Sequence, residues 1–149
     1  AKLDVQLREK KFIKKYQALI SGSLDDLKEH GWIDLPIARD YSSLLKRQVH
    51  VDGRSAQTEY WLEKRDSEIA LVDIQLHTGR THQIRVHFSE IGCALLGDEM
   101  YGGRMDLGIE RQALHCYDLR FYHPFTQKLL EFKQPLAQDM AAIVQRFED

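Results

Sequence analysis

The sequence predicts an α+β domain built on a largely antiparallel mixed sheet flanked by a few helices. Three observations carry this. Alternating polar and apolar segments recur along the chain, most clearly at 69–77, where Val72, Ile74 and Leu76 take one face and Asp73, Gln75 and His77 the other. Few segments show helical spacing. No strand is regularly followed by a crossover helix, which excludes doubly wound and barrel architectures.

In chain order, a short helix is expected near 3–10 and a strand near 12–20, ended by Ser21-Gly22. Residues 21–45 read as mostly loop, with Leu35-Pro36-Ile37 a short extended piece. Strands follow near 46–51 and 56–64, with Asp52-Gly53 between them as a hairpin signal. After the strand at 69–77, Gly79 breaks the pattern. From Thr81 the spacing becomes helical, with Ile84, Phe88 and Ile91 at i, i+4 and i+7 and Gly92 as the stop. Thr81 is the expected N-cap, although Ile84 stands where a capping box wants Glu or Gln. Strands at 113–122 and 128–133 flank the turn at His123-Pro124. An amphipathic helix over 137–147 follows, with Met140, Ile143, Val144 and Phe147 on its apolar face.

The 149 residues suit one domain, and a chain of that length buries roughly two-thirds of its unfolded surface. A net charge of -2 excludes nucleic-acid binding by bulk charge but not by a local patch. The charge is uneven: residues 1–20 carry +4, and the rest of the chain -6. A second cationic spot at 77–87 holds Arg80, Arg85, His77, His82 and His87. Two cysteines, Cys93 and Cys116, mark no disulfide framework, so a reducing cytoplasm is expected. No apolar run approaches the ~18 residues of a membrane helix, so no membrane partner is expected. The chain starts at Ala1 rather than Met, and a piece of something longer is expected.

Three segments invite chemistry. In HTGRTHQIRVH (77–87), a zinc site is opposed by spacing, since His82 and His87 lie about 140° apart on a helix. A phosphate-binding loop lacks its glycines and its Gly-Lys-Ser/Thr end. What remains is a strand-turn-helix whose entrance favours an anion, with Arg80 there and Arg85 on a face distinct from Ile84 and Phe88. The alternative is a solvated arginine on a surface helix. In Lys14-Lys15-Tyr16, the tyrosine either stacks on a base while its neighbours hold phosphate, or is a half-buried strand residue with lysines in water. Asp98, between glycines in Leu96–Gly103, is either a nucleophile or base, or a turn acid bonded to its own backbone; the second is favoured.

Together these segments carry a resemblance. HTGRTHQIRVHFSEIGCALLGDEMYGG is similar to the C-terminal half of the RluA-like pseudouridine synthase family, enzymes that isomerise uridine within RNA. Lys14–Ala18 resembles the family's tyrosine strand and Ser55–Tyr60 its middle strand. Arg111–His115 and Tyr122–Thr126 resemble its closing hairpin, and Pro135-Leu136 with Asp139-Met140 its last helix.

The resemblance implies a cleft that receives a flipped uridine, with structured RNA (rRNA or tRNA) as partner and no metal or cofactor. Tyr16 would stack on the base and help move the C5 proton. Arg85 would pair with the catalytic carboxylate, so that Arg85→Ala removes activity while leaving the fold. Ile84 would pack against the base, and Lys14, Arg80 and His82 complete the implied substrate-binding set. The family's nucleophile lies in a His-Arg-Leu-Asp-x-x-Thr-Ser-Gly motif, which this chain lacks. Lys2-Leu3-Asp4 mimics its middle, but Val5-Gln6-Leu7 follows, and Asp4 precedes Tyr16 by only 12 residues where the family has roughly thirty. The nucleophile is therefore expected upstream of Ala1. Residues 1–149 then form the C-terminal portion of one catalytic domain, inactive alone. The competing readings are a non-catalytic RNA-binding module and a metal hydrolase using the histidines.

Overall fold

The computed structural model describes residues 13–123 and 125–148. The helix expected near 3–10, and Asp4 with it, lies outside them. Ten elements follow in order: β1 (Ile13–Ser21), β2 (His30–Asp34), β3 (Ile37–Arg39), β4 (Arg47–Val49), β5 (Gln57–Arg65), β6 (Ile69–Leu76), α1 (Gln83–Glu90), β7 (Leu114–Tyr122), β8 (Leu129–Lys133) and α2 (Gln138–Val144). Six strands form one sheet in the order β2-β5-β6-β1-β7-β8, while β3 and β4 pair separately. The pairings of these strands are antiparallel.

The alternation of β1 and β6 decides which side is covered by what. Ala18 and Ile20 of β1, with Val72, Ile74 and Leu76 of β6, face α1 and pack with Ile84 and Phe88. Leu19 and Leu71 point the other way, onto Leu96, Met140 and the flanking Ile143, Val144 and Phe147 around α2. Burying such side chains contributes about 1.5–3 kcal/mol each, so the two apolar layers fix the strand register.

Residues 21–45 are mostly loop, as expected, but β2, which the sequence did not suggest, and β3 lie within them. The buried face of β2 is only Gly31 and Ile33, and a glycine hides the apolar alternation. Glycine is needed at 31 because a Cβ would stand 2.5 Å from the Tyr60 hydroxyl. The expected Asp52-Gly53 hairpin does not form: β4 pairs with β3, and β5 with β2 and β6. The turn at 51–53 instead brings Gly53 against Ile37, where a Cβ would lie 2.6 Å from the Ile37 carbonyl carbon. Arg54 and Ile37 then exchange backbone bonds of 2.8 and 2.9 Å, and the chain crosses into the large sheet.

Candidate active site

Half of the 77–87 motif is fastening. The Gln57 N–H donates to Thr78 Oγ1 (3.0 Å), and the Thr78 hydroxyl donates to Gln83 Oε1 (2.8 Å). Gln83 Nε2 donates to the Gln57 carbonyl and to Thr58 Oγ1, both at 3.0 Å. The chain of bonds ends at His87, whose Nδ1 accepts from Thr58 Oγ1 and whose Nε2 donates to the Leu35 carbonyl, both at 2.8 Å. Thr58, Gln83 and His87 are buried. Burial pushes the His87 pKa down, so the ring is neutral with one donor and one acceptor, both used. The same Gln83 Oε1 accepts the Arg80 N–H at 3.0 Å. Gln83 thus takes the capping work expected of Thr81, and the N-cap position passes to His82, in the left-handed region at φ 57°.

Four other residues of the motif border open space. Arg80, His82, Ile84 and Arg85 line an open cleft of about 310 Å³ together with Tyr16 from β1. Residues as distant in sequence as Tyr16 and Arg85 meet because β1 pairs directly with β6, the strand that leads into α1. Ile84 is both part of the core and part of the lining. Beside Tyr16 the β1–β7 ladder slips, with Lys15 opposite Asp118 and Tyr16 opposite Cys116, so Tyr117 is an extra residue on β7. Such a bulge re-aims the neighbouring side chain. Burial, with a smaller contribution from Cys116, pushes the Tyr16 phenol up to about 12.

Arg85 and Asp98 form a bidentate pair, Nε to Oδ2 and Nη2 to Oδ1, both at 2.9 Å. The Asp98 side chain is 1% exposed and that of Arg85 14%. Asp98 holds an arginine rather than its own backbone, unlike the turn acid favoured from sequence. Its hydrogen bond is the main cause raising the Arg85 pKa, and the guanidinium stays charged. The pairing occupies one edge of the guanidinium. The two Nη1 hydrogens make no bond among the described residues, which leaves donors for a second anion.

Tyr101 organises the rest. Its Oη accepts the Arg47 N–H (2.9 Å) and lies 2.7 Å from His82 Nδ1, while its carbonyl accepts from Ser89 Oγ (2.8 Å). The Arg85 guanidinium sits 4.9 Å from the ring centroid. Burial raises the Tyr101 pKa, so its hydroxyl keeps its proton. Burial, then the charges of Arg85 and Arg47, lower the His82 pKa. His82 is thus held in its neutral form.

Of the implied set of Tyr16, Arg85, Ile84, Lys14, Arg80 and His82, Lys14 alone stands outside the cleft lining, beyond the bulge and opposite Leu119. Leu76, Gln112 and Leu114 line it and were missed. Alternation along β6 and β7 carries a signal for the leucines, and nothing local marks Gln112. Chemically, the cleft offers an aromatic ring, aliphatic walls, a fixed guanidinium with free donors and a neutral imidazole. That set suits a flat heterocycle attached to an anionic backbone.

The model of the family described as RNA pseudouridylate synthase matches residues 1–90. A protein named as the uncharacterized RNA pseudouridine synthase YjbO of Bacillus subtilis is 42% identical over 132 residues, covering 88% of this chain and 45% of that protein. Ribosomal large subunit pseudouridine synthase D of Pasteurella multocida is 35% identical over 157 residues, covering 97% and 48%. The chain thus spans about half the length of the curated relatives it matches. In fold it is similar to human RNA pseudouridylate synthase domain containing 1, with a TM-score of 0.73 at 22% identity, over 97% of this chain and 69% of that one. By sequence and by fold, this chain belongs to the RNA pseudouridylate synthase family.

Proposed function

We propose that this chain is the base-binding part of an RNA pseudouridine synthase, an isomerase that converts uridine to pseudouridine in structured RNA, ribosomal or transfer. Its residues form the C-terminal portion of one catalytic domain. A carboxylate from a His-Arg-Leu-Asp-type segment outside residues 1–149 acts as the nucleophile or base, and no metal or cofactor takes part. The observation that carries this reading is the meeting of Tyr16, Ile84 and Arg85 in one cleft. The flipped uracil lies between the Tyr16 ring and Ile84, and the Nη1 edge of Arg85 receives the incoming carboxylate. A charged guanidinium keeps that carboxylate ionised until the glycosidic bond breaks. Tyr16, protonated far above neutral pH, is a stacking group that donates its hydroxyl proton rather than a ready phenolate. The two free thiols, Cys93 and Cys116, favour action in the reducing cytoplasm.

The test is conversion of uridine in ribosomal and transfer RNA, by the chain alone and by a polypeptide joining it to such a segment. Turnover only in the joined form, unaffected by chelator, is expected. Turnover by the chain alone would move the nucleophile to a residue such as Asp4 or Asp98. Binding without turnover in the joined form would leave an RNA-binding module.

A further inference from the structure

The arginines among the described residues divide into two groups. Arg65, Arg85, Arg104, Arg111, Arg120 and Arg146 each lie within 4.0 Å of a carboxylate. Arg39, Arg47, Arg54 and Arg80 have no carboxylate partner among the described residues, and all four line one groove of about 540 Å³ beside the 79–81 turn. An excess of acids elsewhere would be expected to pair them; here they are held apart from it.

Backbone and side-chain bonds hold the groove open. Arg54 is bonded to Ile37 through its backbone, the Arg47 N–H is fixed by Tyr101, and Arg47 Nη1 donates to the Leu45 carbonyl at 3.2 Å. Arg80 donates Nε to the Ser55 carbonyl at 2.8 Å, which points its position while its Nη groups stay available. Arg39 lies 5.5 Å from the centroid of the Tyr41 ring, itself 86% exposed. One acid, Asp52, shares the groove, and its N–H donates to His50 Nδ1 at 3.1 Å. Arg80 lines this groove and the Tyr16 cleft alike, so the two are continuous.

We propose that this groove binds the phosphodiester backbone of the RNA strand that flanks the nucleotide held in the cleft, with Arg80 as the shared contact. The inference rests on the reading of the cleft given above. Unpaired guanidiniums match phosphate oxygens in charge and fork geometry, and the exposed Tyr41 ring offers a face for a flanking base. An acidic protein segment would also satisfy the charge, but continuity with a nucleotide-sized cleft favours a strand that enters both.

The experiment is a salt titration of binding between the 149-residue chain and a fluorescein-labelled RNA stem-loop, followed by anisotropy. The Arg39→Ala/Arg54→Ala variant should bind about tenfold more weakly, with the slope of log affinity against log salt reduced by about one to two. Arg104→Ala, on an arginine already paired with acids, should match the unaltered chain. Melting temperature is read on each sample, and Arg39→Lys/Arg54→Lys, which retains the charge, should keep the slope if the alanine variant fails to fold. Unchanged affinity and slope in the arginine variants, with Tyr16→Ala weakened, would overturn the groove while leaving the cleft. Competition by polyglutamate as effective as by RNA, and lost in the same variants, would replace RNA with an acidic protein. No RNA binding by the unaltered chain would overturn the groove and the reading of the cleft together.

Discussion

Arg85 and Asp98 meet fork to fork, each oxygen of the carboxylate 2.9 Å from a different guanidinium nitrogen. The pair joins α1 to the glycine-bounded loop at 97–103, so a residue assigned to the chemistry also closes the structure.

Arg85→Ala should therefore cost stability as well as activity. It strands a buried carboxylate, a change of about 3–5 kcal/mol. The family resemblance alone implies an arginine that can be removed with the fold intact, and the burial of Asp98 reverses that expectation. Asp98→Asn in the Arg85→Ala background should recover part of the loss. Urea denaturation of the two single variants and the double variant measures the coupling, and additive effects would show that the pair contributes nothing.

Replacing Gly97 should act on the same pair from the other side. Gly97 sits at φ +74°, and a Cβ there would overlap the Arg111 carbonyl oxygen. Gly97→Ala is expected to shift the loop and lower the melting temperature, whereas Gly102→Ala, with open space around it, should cost only the strain of φ +85°. Equal melting points for the two variants would contradict this.

Thr58→Val removes a hydroxyl that serves two buried partners, Gln83 Nε2 and His87 Nδ1. A loss of about 1–3 kcal/mol is expected. The lowered His87 pKa adds a pH dependence: its stability contribution is present above the unfolded value of about 6.5 and is lost as pH falls through the lower folded value. Denaturant midpoints between neutral and mildly acidic pH should fall in the native chain, and less steeply in His87→Gln.

The alkaline side reads Tyr16. Its folded pKa of about 12 exceeds the unfolded value near 10, so stability is full below pH 10 and declines as pH rises toward 12. The decline is about 1.4 kcal/mol per pH unit for such a group. Tyr117, also near 12 mainly through burial, titrates alongside it. Tyr16→Phe should flatten the slope by one group's share, as measured by urea midpoints across this range. An unchanged slope would place the phenol in water.

The sheet was legible where alternation spans many residues, as in β6, and illegible where the buried face is one glycine and one isoleucine, as in β2. The Asp52-Gly53 turn was read correctly as a turn but wrongly as a hairpin, because local chemistry bends a chain without choosing its partners. In the 77–87 motif, spacing opposed a zinc site, yet it did not separate His87, tied on both nitrogens, from His82, which faces the cleft. Asp98 shows the same limit. Its place in a glycine-bounded turn was legible, but its partner lies on a helix whose placement depends on the whole sheet.

β1 comes early in the chain but lies in the middle of the sheet, between β6 and β7. During synthesis it must wait, with both hydrogen-bonding edges open, until strands made much later emerge to flank it. Contacts so distant in sequence make for slow folding and a long exposure of Ala18-Leu19-Ile20 to other chains. The lysines at one end of that strand, Lys14 and Lys15, place charge next to the apolar run, where it discourages edge-to-edge association of nascent chains. Lys14, outside the cleft in the finished molecule, thus has a part to play before there is a cleft.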